Sequence, residues 1–146
     1  MAPVVQHLAL SVPDPERSAA YYAAALTPLG AFSRPARYTS DRGERPHVVG
    51  VEHSLSLMLH QADPGSAPDP YAPGGLHHFA IHVDDARTVD EVTAAARDAG
   101  GSVSDGPREF PDEYRFGYYG AFLRDPDGIK WEIFCYTHLE QLAVTG

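Results

Sequence analysis

Apolar and polar residues alternate with a period of two in several stretches of this chain, and each such stretch predicts a strand with one face turned to a core. Over residues 4–12, His7, Ala9 and Ser11 fall on one face and Leu8, Leu10 and Val12 on the other. From Ser54 to Gln61, Leu55, Leu57 and Leu59 oppose Ser54, Ser56, Met58 and His60. From Ile129 to Tyr136, Trp131 and Ile133 share one side and Glu132 takes the other. Further strands are expected over Ala31–Thr39, Pro46–Glu52, Leu76–Val83, Gly101–Ser104 and Tyr114–Arg124. Two stretches break the alternation and read as helices. Asp14 caps the first, with Pro15 in its opening turn and Arg17 to Leu26 as its body. The second runs from Thr88 to Ala99, with Thr88 and Glu91 spaced as a capping box and Gly100-Gly101 as its stop. Asp125-Pro126-Asp127-Gly128 forms a tight turn before the last strand.

The elements repeat. Sliding the chain by 71 residues places His7 on His78, Ala9 on Ala80, Leu10 on Ile81, Val12 on Val83, Asp14 on Asp85 and Gly30 on Gly101. Internal repetition of this kind governs the fold. It divides the chain into a first βαβββ module over residues 3–61, a Pro- and Gly-rich linker over 62–75 and a second βαβββ module over 76–138. The expected class is α+β, with helices outside and one domain spanning residues 1–146.

Composition narrows the partners. A formal charge of −9, with Lys and Arg scattered, argues against phosphate-backbone binding and so against nucleic acid. No apolar run approaches a membrane span. The single cysteine, Cys135, cannot pair within the chain, and the N-terminus lacks a signal pattern, so a cytoplasmic protein is expected. A homodimer is the default assembly.

His7 and His78 head the two equivalent strands, and Glu132 points away from the apolar face of the last one. If the helices cover the apolar faces, these three look into one cleft. Two imidazoles and one carboxylate form a facial set suited to Fe(II) and compatible with Mn(II), Zn(II), Ni(II) or Co(II). Each residue alone reads as an ordinary partly buried or solvated side chain; the symmetry and facing of the three together carry the metal reading.

His-x-Ala-[Leu/Ile]-x-Val followed by Asp and an Ala/Tyr-rich helix, with Asp-Pro-Asp-Gly-x-x-x-Glu near the C-terminus, resembles the vicinal oxygen chelate superfamily across nearly the whole chain. That superfamily includes glyoxalase I, extradiol dioxygenases, methylmalonyl-CoA epimerase, fosfomycin-modifying enzymes and bleomycin-resistance proteins. The resemblance implies paired modules closing a U-shaped, partly closed mixed sheet around a divalent metal, with His7, His78 and Glu132 at the ligand positions. Four-ligand relatives carry a second Glu where this chain has Met58, and a thioether is a poor ligand for such ions. His60 is the alternative fourth ligand if the strand register differs.

Three ligands favour an extradiol-type dioxygenase acting on a small, metal-chelating substrate, and the Tyr- and Phe-rich final module is consistent with an aromatic one. The alternatives are a glyoxalase-like isomerase or lyase, a fosfomycin-type thiol transferase, and a metal-free drug-binding protein. Candidate catalytic residues are His82, which shares the face of His78, and Tyr119 and Arg115 from the aromatic run over residues 110–120. His77 faces away from His78, and Cys135 away from Glu132.

Overall fold

A computed structural model describes residues 3–114 and 117–137. The elements come in the order β1 (His7–Val12), α1 (Pro15–Ala25), a 3-10 turn (Thr27–Leu29), β2 (Phe32–Pro35), β3 (His47–Gly50) and β4 (Ser56–Gln61). After the linker follow β5 (Phe79–His82), α2 (Ala86–Asp98), β6 (Ser102–Glu109), β7 (Tyr118–Arg124) and β8 (Lys130–Tyr136). The class is α+β, and the two-module plan expected from the repeat is present.

Among the described residues the strands gather into two four-stranded sheets of identical order, β1-β4-β3-β2 and β5-β8-β7-β6. In each the first strand runs parallel to the last, and the remaining pairs are antiparallel. The alternation read from the sequence sets the faces: Leu10, Val12, Leu57 and Leu59 are buried, whereas His7, Ala9 and Ser11 are exposed. On β8, Trp131, Ile133 and Cys135 are fully buried beneath the helices.

One core serves both modules. Tyr21 and Tyr22 of α1 set their rings edge-on to Trp131, at centroid separations of 6.4 and 5.9 Å. The Tyr22 hydroxyl donates to Asp125 Oδ2 over 2.7 Å, and Arg17 pairs with Asp127 at 2.6 Å. The first module's helix is therefore fastened to the β7–β8 turn of the second. That turn is the Asp-Pro-Asp-Gly segment, closed by Gly128 N–H to the Asp125 carbonyl, with Gly128 at φ +88°. A left-handed backbone there suits glycine.

Several boundaries differ from expectation for identifiable reasons. Helix α2 is capped by Asp85, not by a Thr88/Glu91 box: the Asp85 carboxylate accepts from Thr88 N and Thr88 Oγ1, both at 2.8 Å, while Glu91 pairs with Arg87. Strand β5 starts at Phe79, leaving Leu76 to His78 as an extended lead outside the ladder. Strand β7 starts at Tyr118, because Tyr114 N–H turns back to the Phe110 carbonyl and Gly117 takes φ +81°. Strand β6 runs on to Glu109, past two irregularities in its pairing with β7. Among the described residues no helix is long and apolar enough to cross a membrane.

Candidate functional site

Glu132 is the centre of the site. Its neighbours Trp131 and Ile133 are locked into the core, so the pleat of β8 turns Glu132 to the helix-free face together with Lys130, Phe134 and Tyr136. It is only 2% exposed. Such burial of a carboxylate demands a partner. Tyr118, opposite on β7, supplies one: its hydroxyl donates to Glu132 Oε1. Burial pushes the Glu132 pKa up, and the Tyr118 bond and the Lys130 charge pull against it. Burial and the same hydrogen bond hold the Tyr118 hydroxyl far above its ordinary range.

The second carboxylate oxygen, Oε2, lies 3.7 Å from His78 Nε2. Burial, Lys130 and His77 lower the His78 pKa, so the ring is neutral near pH 7. Its other nitrogen stands 2.7 Å from His77 Nδ1, a hydrogen bond in which one Nδ1 carries the proton. His78 Nε2 and Glu132 Oε2 thus face each other beyond hydrogen-bond length, and neither has another hydrogen-bond partner among the described residues. A divalent ion bound by both, at about 2.0–2.2 Å to each, fits such a gap. Two donors of the expected set are consistent with a metal.

The third expected donor is placed elsewhere. His7 is exposed on β1, takes Gln6 Oε1 at 2.9 Å, and lines a separate hollow of about 640 Å³ with Arg34, Tyr38, Met58 and His60. His60 lies four residues along the β1–β4 ladder from the level of His7, since His7 pairs with Ser56 and Ser11 with His60. Met58 sits on the same face, with the Tyr38 hydroxyl 3.9 Å from its sulfur. Among the described residues no group of three or more His, Cys, Asp or Glu gathers as a metal cage.

Around the pair runs an aromatic wall. Tyr118 stacks between Tyr114 at 4.5 Å and Phe134 at 4.6 Å, and Phe110 and Phe122 close the flank. His82 extends the stack, its ring 5.0 Å from Phe134 and inclined by 20°. Lys130 Nζ rests 4.7 Å from the centroid of the Phe122 ring.

Of the expected catalytic residues, His82 is on this face. Tyr119 is not: it shares the parity of buried Ala121 and Leu123, and its hydroxyl donates to Asp90 of α2 on the helix side. Tyr118 takes the place assigned to it. Arg115 lies outside the described residues. Cys135 is buried opposite Glu132, as its parity required, and burial raises its pKa. Sequence reasoning missed Tyr118 and Lys130, although both are legible by parity: Tyr118 lies four residues from Phe122, and Lys130 two from Glu132.

A sequence model described as the Glyoxalase/Bleomycin resistance protein/Dioxygenase superfamily matches residues 4–133. An uncharacterized protein of Pseudomonas aeruginosa is 29% identical over 133 residues, covering 88% of this chain and 85% of that one. A glyoxylase/bleomycin resistance protein/dioxygenase domain from Frankia sp. EAN1pec has a TM-score of 0.73 at 21% identity, covering 93% of this chain and 99% of its own. The antibiotic binding protein TnmS3 from Streptomyces sp. CB03234 has a TM-score of 0.61 at 25% identity, covering 92% and 97%.

Proposed function

The chain belongs to the Glyoxalase/Bleomycin resistance protein/Dioxygenase superfamily, and from that membership we propose that it is a metal-dependent enzyme acting on a small, planar, oxygen-chelating substrate. The reading we favour within that class is an extradiol-type oxygenase. The observation that carries the proposal is the opposed pair His78 Nε2 and Glu132 Oε2, 3.7 Å apart and without another hydrogen-bond partner among the described residues. His78 and Glu132 are the core of the proposed metal site; His7 lines a separate hollow of the same chain, so as third donor it would come from a second copy of the chain. When bound, the ion supplies a Lewis acid for vicinal substrate oxygens. Fe(II) suits two imidazoles and one carboxylate, and Mn(II), Zn(II), Ni(II) and Co(II) fit the same donors.

The chain's own groups have distinct parts. His77 fixes the orientation of the His78 ring through the Nδ1 contact. Tyr118 holds one Glu132 oxygen, leaving the other directed at His78. Tyr114, exposed at the outer end of the stack, and its neighbour Phe122 offer aromatic surface to a ring. His82, exposed at the end of that stack, is the group within the wall placed to exchange a proton with solvent.

Metal analysis of protein purified anaerobically and without chelator, beside His78→Ala and His7→Ala, tests this. Near one equivalent of iron or manganese, lost in His78→Ala and reduced in His7→Ala, is expected, with oxygen uptake on a catechol panel. Zinc or nickel with anaerobic turnover would shift the assignment to an isomerase, lyase or thiol transferase. No metal, even after each ion is added, would refute the enzyme and favour a second reading, a drug-binding protein. That reading is supported by the aromatic wall and by likeness to an antibiotic binding protein.

A further inference from the structure

A cavity of about 600 Å³ opens where β1, the linker and the β7–β8 turn meet. Its volume is that of a small-molecule site. Ala9, Pro68, Leu76 and Ile129 give it apolar walls, and His77 and Lys130 border it on the side of the Glu132 centre. The two carboxylates in its lining are already engaged. Asp69 accepts from the backbone N–H groups of Tyr71 and Ala72, and Asp127 from Arg17 and Ser18. Arg124, also in the lining, is turned to the Gly128 carbonyl.

Lys130 is different. Half-buried at the end of β8, its ammonium leans on Phe122 at 4.7 Å and has no carboxylate within ion-pair distance among the described residues. Glu132 stands on the same face, but one of its oxygens is taken by Tyr118 and the other is directed at His78. The charge of Glu132 acts on this ammonium through space, but no carboxylate among the described residues bonds it directly, which leaves its N–H donors for a ligand's anion. In a protein of formal charge −9 this cation stands between the aromatic wall and a cavity of mixed polar and apolar lining. That is the arrangement a site needs to take an anion attached to a flat apolar body.

We infer that Lys130 is the anion-recognition residue of the cleft, taking the carboxylate or phenolate of a small aromatic ligand whose ring lies on the Phe122 and Tyr114 side. This rests on the cleft being the ligand site, as proposed above, and adds the charge and class of the ligand. Lys130 defines specificity by pairing with the ligand's charge.

The test is isothermal titration of 2-naphthoate and its neutral isostere 2-naphthamide into the protein as purified, into Lys130→Met and Lys130→Arg, and into His78→Ala. Thermal melts confirm that each variant is folded. Wild-type protein is expected to favour naphthoate by about tenfold or more, the scale of one charge-assisted hydrogen bond. Lys130→Met should bring the two ligands within about twofold, Lys130→Arg should keep part of the preference, and His78→Ala should weaken naphthoate binding yet leave naphthoate ahead of naphthamide. If the preference survives Lys130→Met and disappears in His78→Ala, the anion is read by the metal centre; Lys130 is then the wrong residue and the metal proposal stands. Equal binding of both ligands by wild-type protein overturns anion recognition and leaves an aromatic cleft. Binding of neither overturns the cleft and the inference together.

Discussion

Replacing Asp125 with Ala should be among the most damaging single changes in this protein, because Asp125 holds the β7–β8 turn together from within. Its carboxylate is 4% exposed and accepts three hydrogen bonds. Oδ1 takes the backbone N–H groups of Asp127 and Ile129, each at 2.9 Å, and Oδ2 takes the Tyr22 hydroxyl at 2.7 Å. Burial raises the Asp125 pKa, and those three bonds act against the rise. Truncation strands the buried Tyr22 hydroxyl and the Ile129 amide at about 1–3 kcal/mol each, while the Asp127 amide, only partly buried, can reach water. We expect Asp125→Ala to cost about 2–6 kcal/mol in total. Asp125→Asn keeps the oxygen for the two amides and lets its NH2 donate to a rotated Tyr22 hydroxyl, so it should cost about 1 kcal/mol. Tyr22→Phe leaves Oδ2 without its donor, again about 1–3 kcal/mol. The double variant Asp125→Ala/Tyr22→Phe should fall short of additivity by about 1–2 kcal/mol, because the shared bond is lost only once. Urea unfolding followed by Trp131 fluorescence measures all four, since that indole is fully buried against Tyr21 and Tyr22. A cost below about 1 kcal/mol for Asp125→Ala, or equal costs for the Ala and Asn variants, would refute the account of this contact.

Two further outcomes follow from groups outside the cleft. Thr88 holds the Asp85 carboxylate below its ordinary pKa, so its contribution is present above the unfolded value of about 3.9 and is lost as pH falls through the lower folded value. Asp85→Asn should therefore flatten the acid limb of a stability-against-pH curve, and an unchanged limb would count against the cap. Cys135 is fully buried and its thiol is pushed up in pKa. Ellman's reagent should leave it unmodified in native protein and react only as denaturant unfolds the chain; rapid native labelling would contradict its placement.

The period-two pattern was sufficient to orient β1, β4 and β8, because in each strand the leucines, isoleucines or tryptophan leave a single choice of buried face. It assigned Glu132 to the helix-free side for the same reason. Parity says which face a side chain takes and nothing about the distance between two sheets. So His7 could be assigned a face but not a neighbour, and the structure pairs it with Gln6. Adjacent tyrosines defeated the reading in another way: in Tyr118-Tyr119 both are plausible cleft residues until Ala121 and Leu123 are used to fix the phase. At α2 two competent caps stand three residues apart, Asp85 and Thr88, and the earlier one wins because it reaches both the amide and the hydroxyl of the later.

The shared core has a consequence for how such a duplicated chain can be divided. The halves are repeats in sequence, yet α1 places Tyr21 and Tyr22 on Trp131 of the other half and holds its β7–β8 turn through Arg17 and Tyr22. Cutting within the linker would expose those rings on one fragment and leave the Trp131 indole uncovered on the other. Each half alone would be a poor folding unit, whereas the two mixed together should reassemble by restoring that contact. Amides of β1 and β8 should accordingly exchange with solvent through one common opening rather than two independent ones.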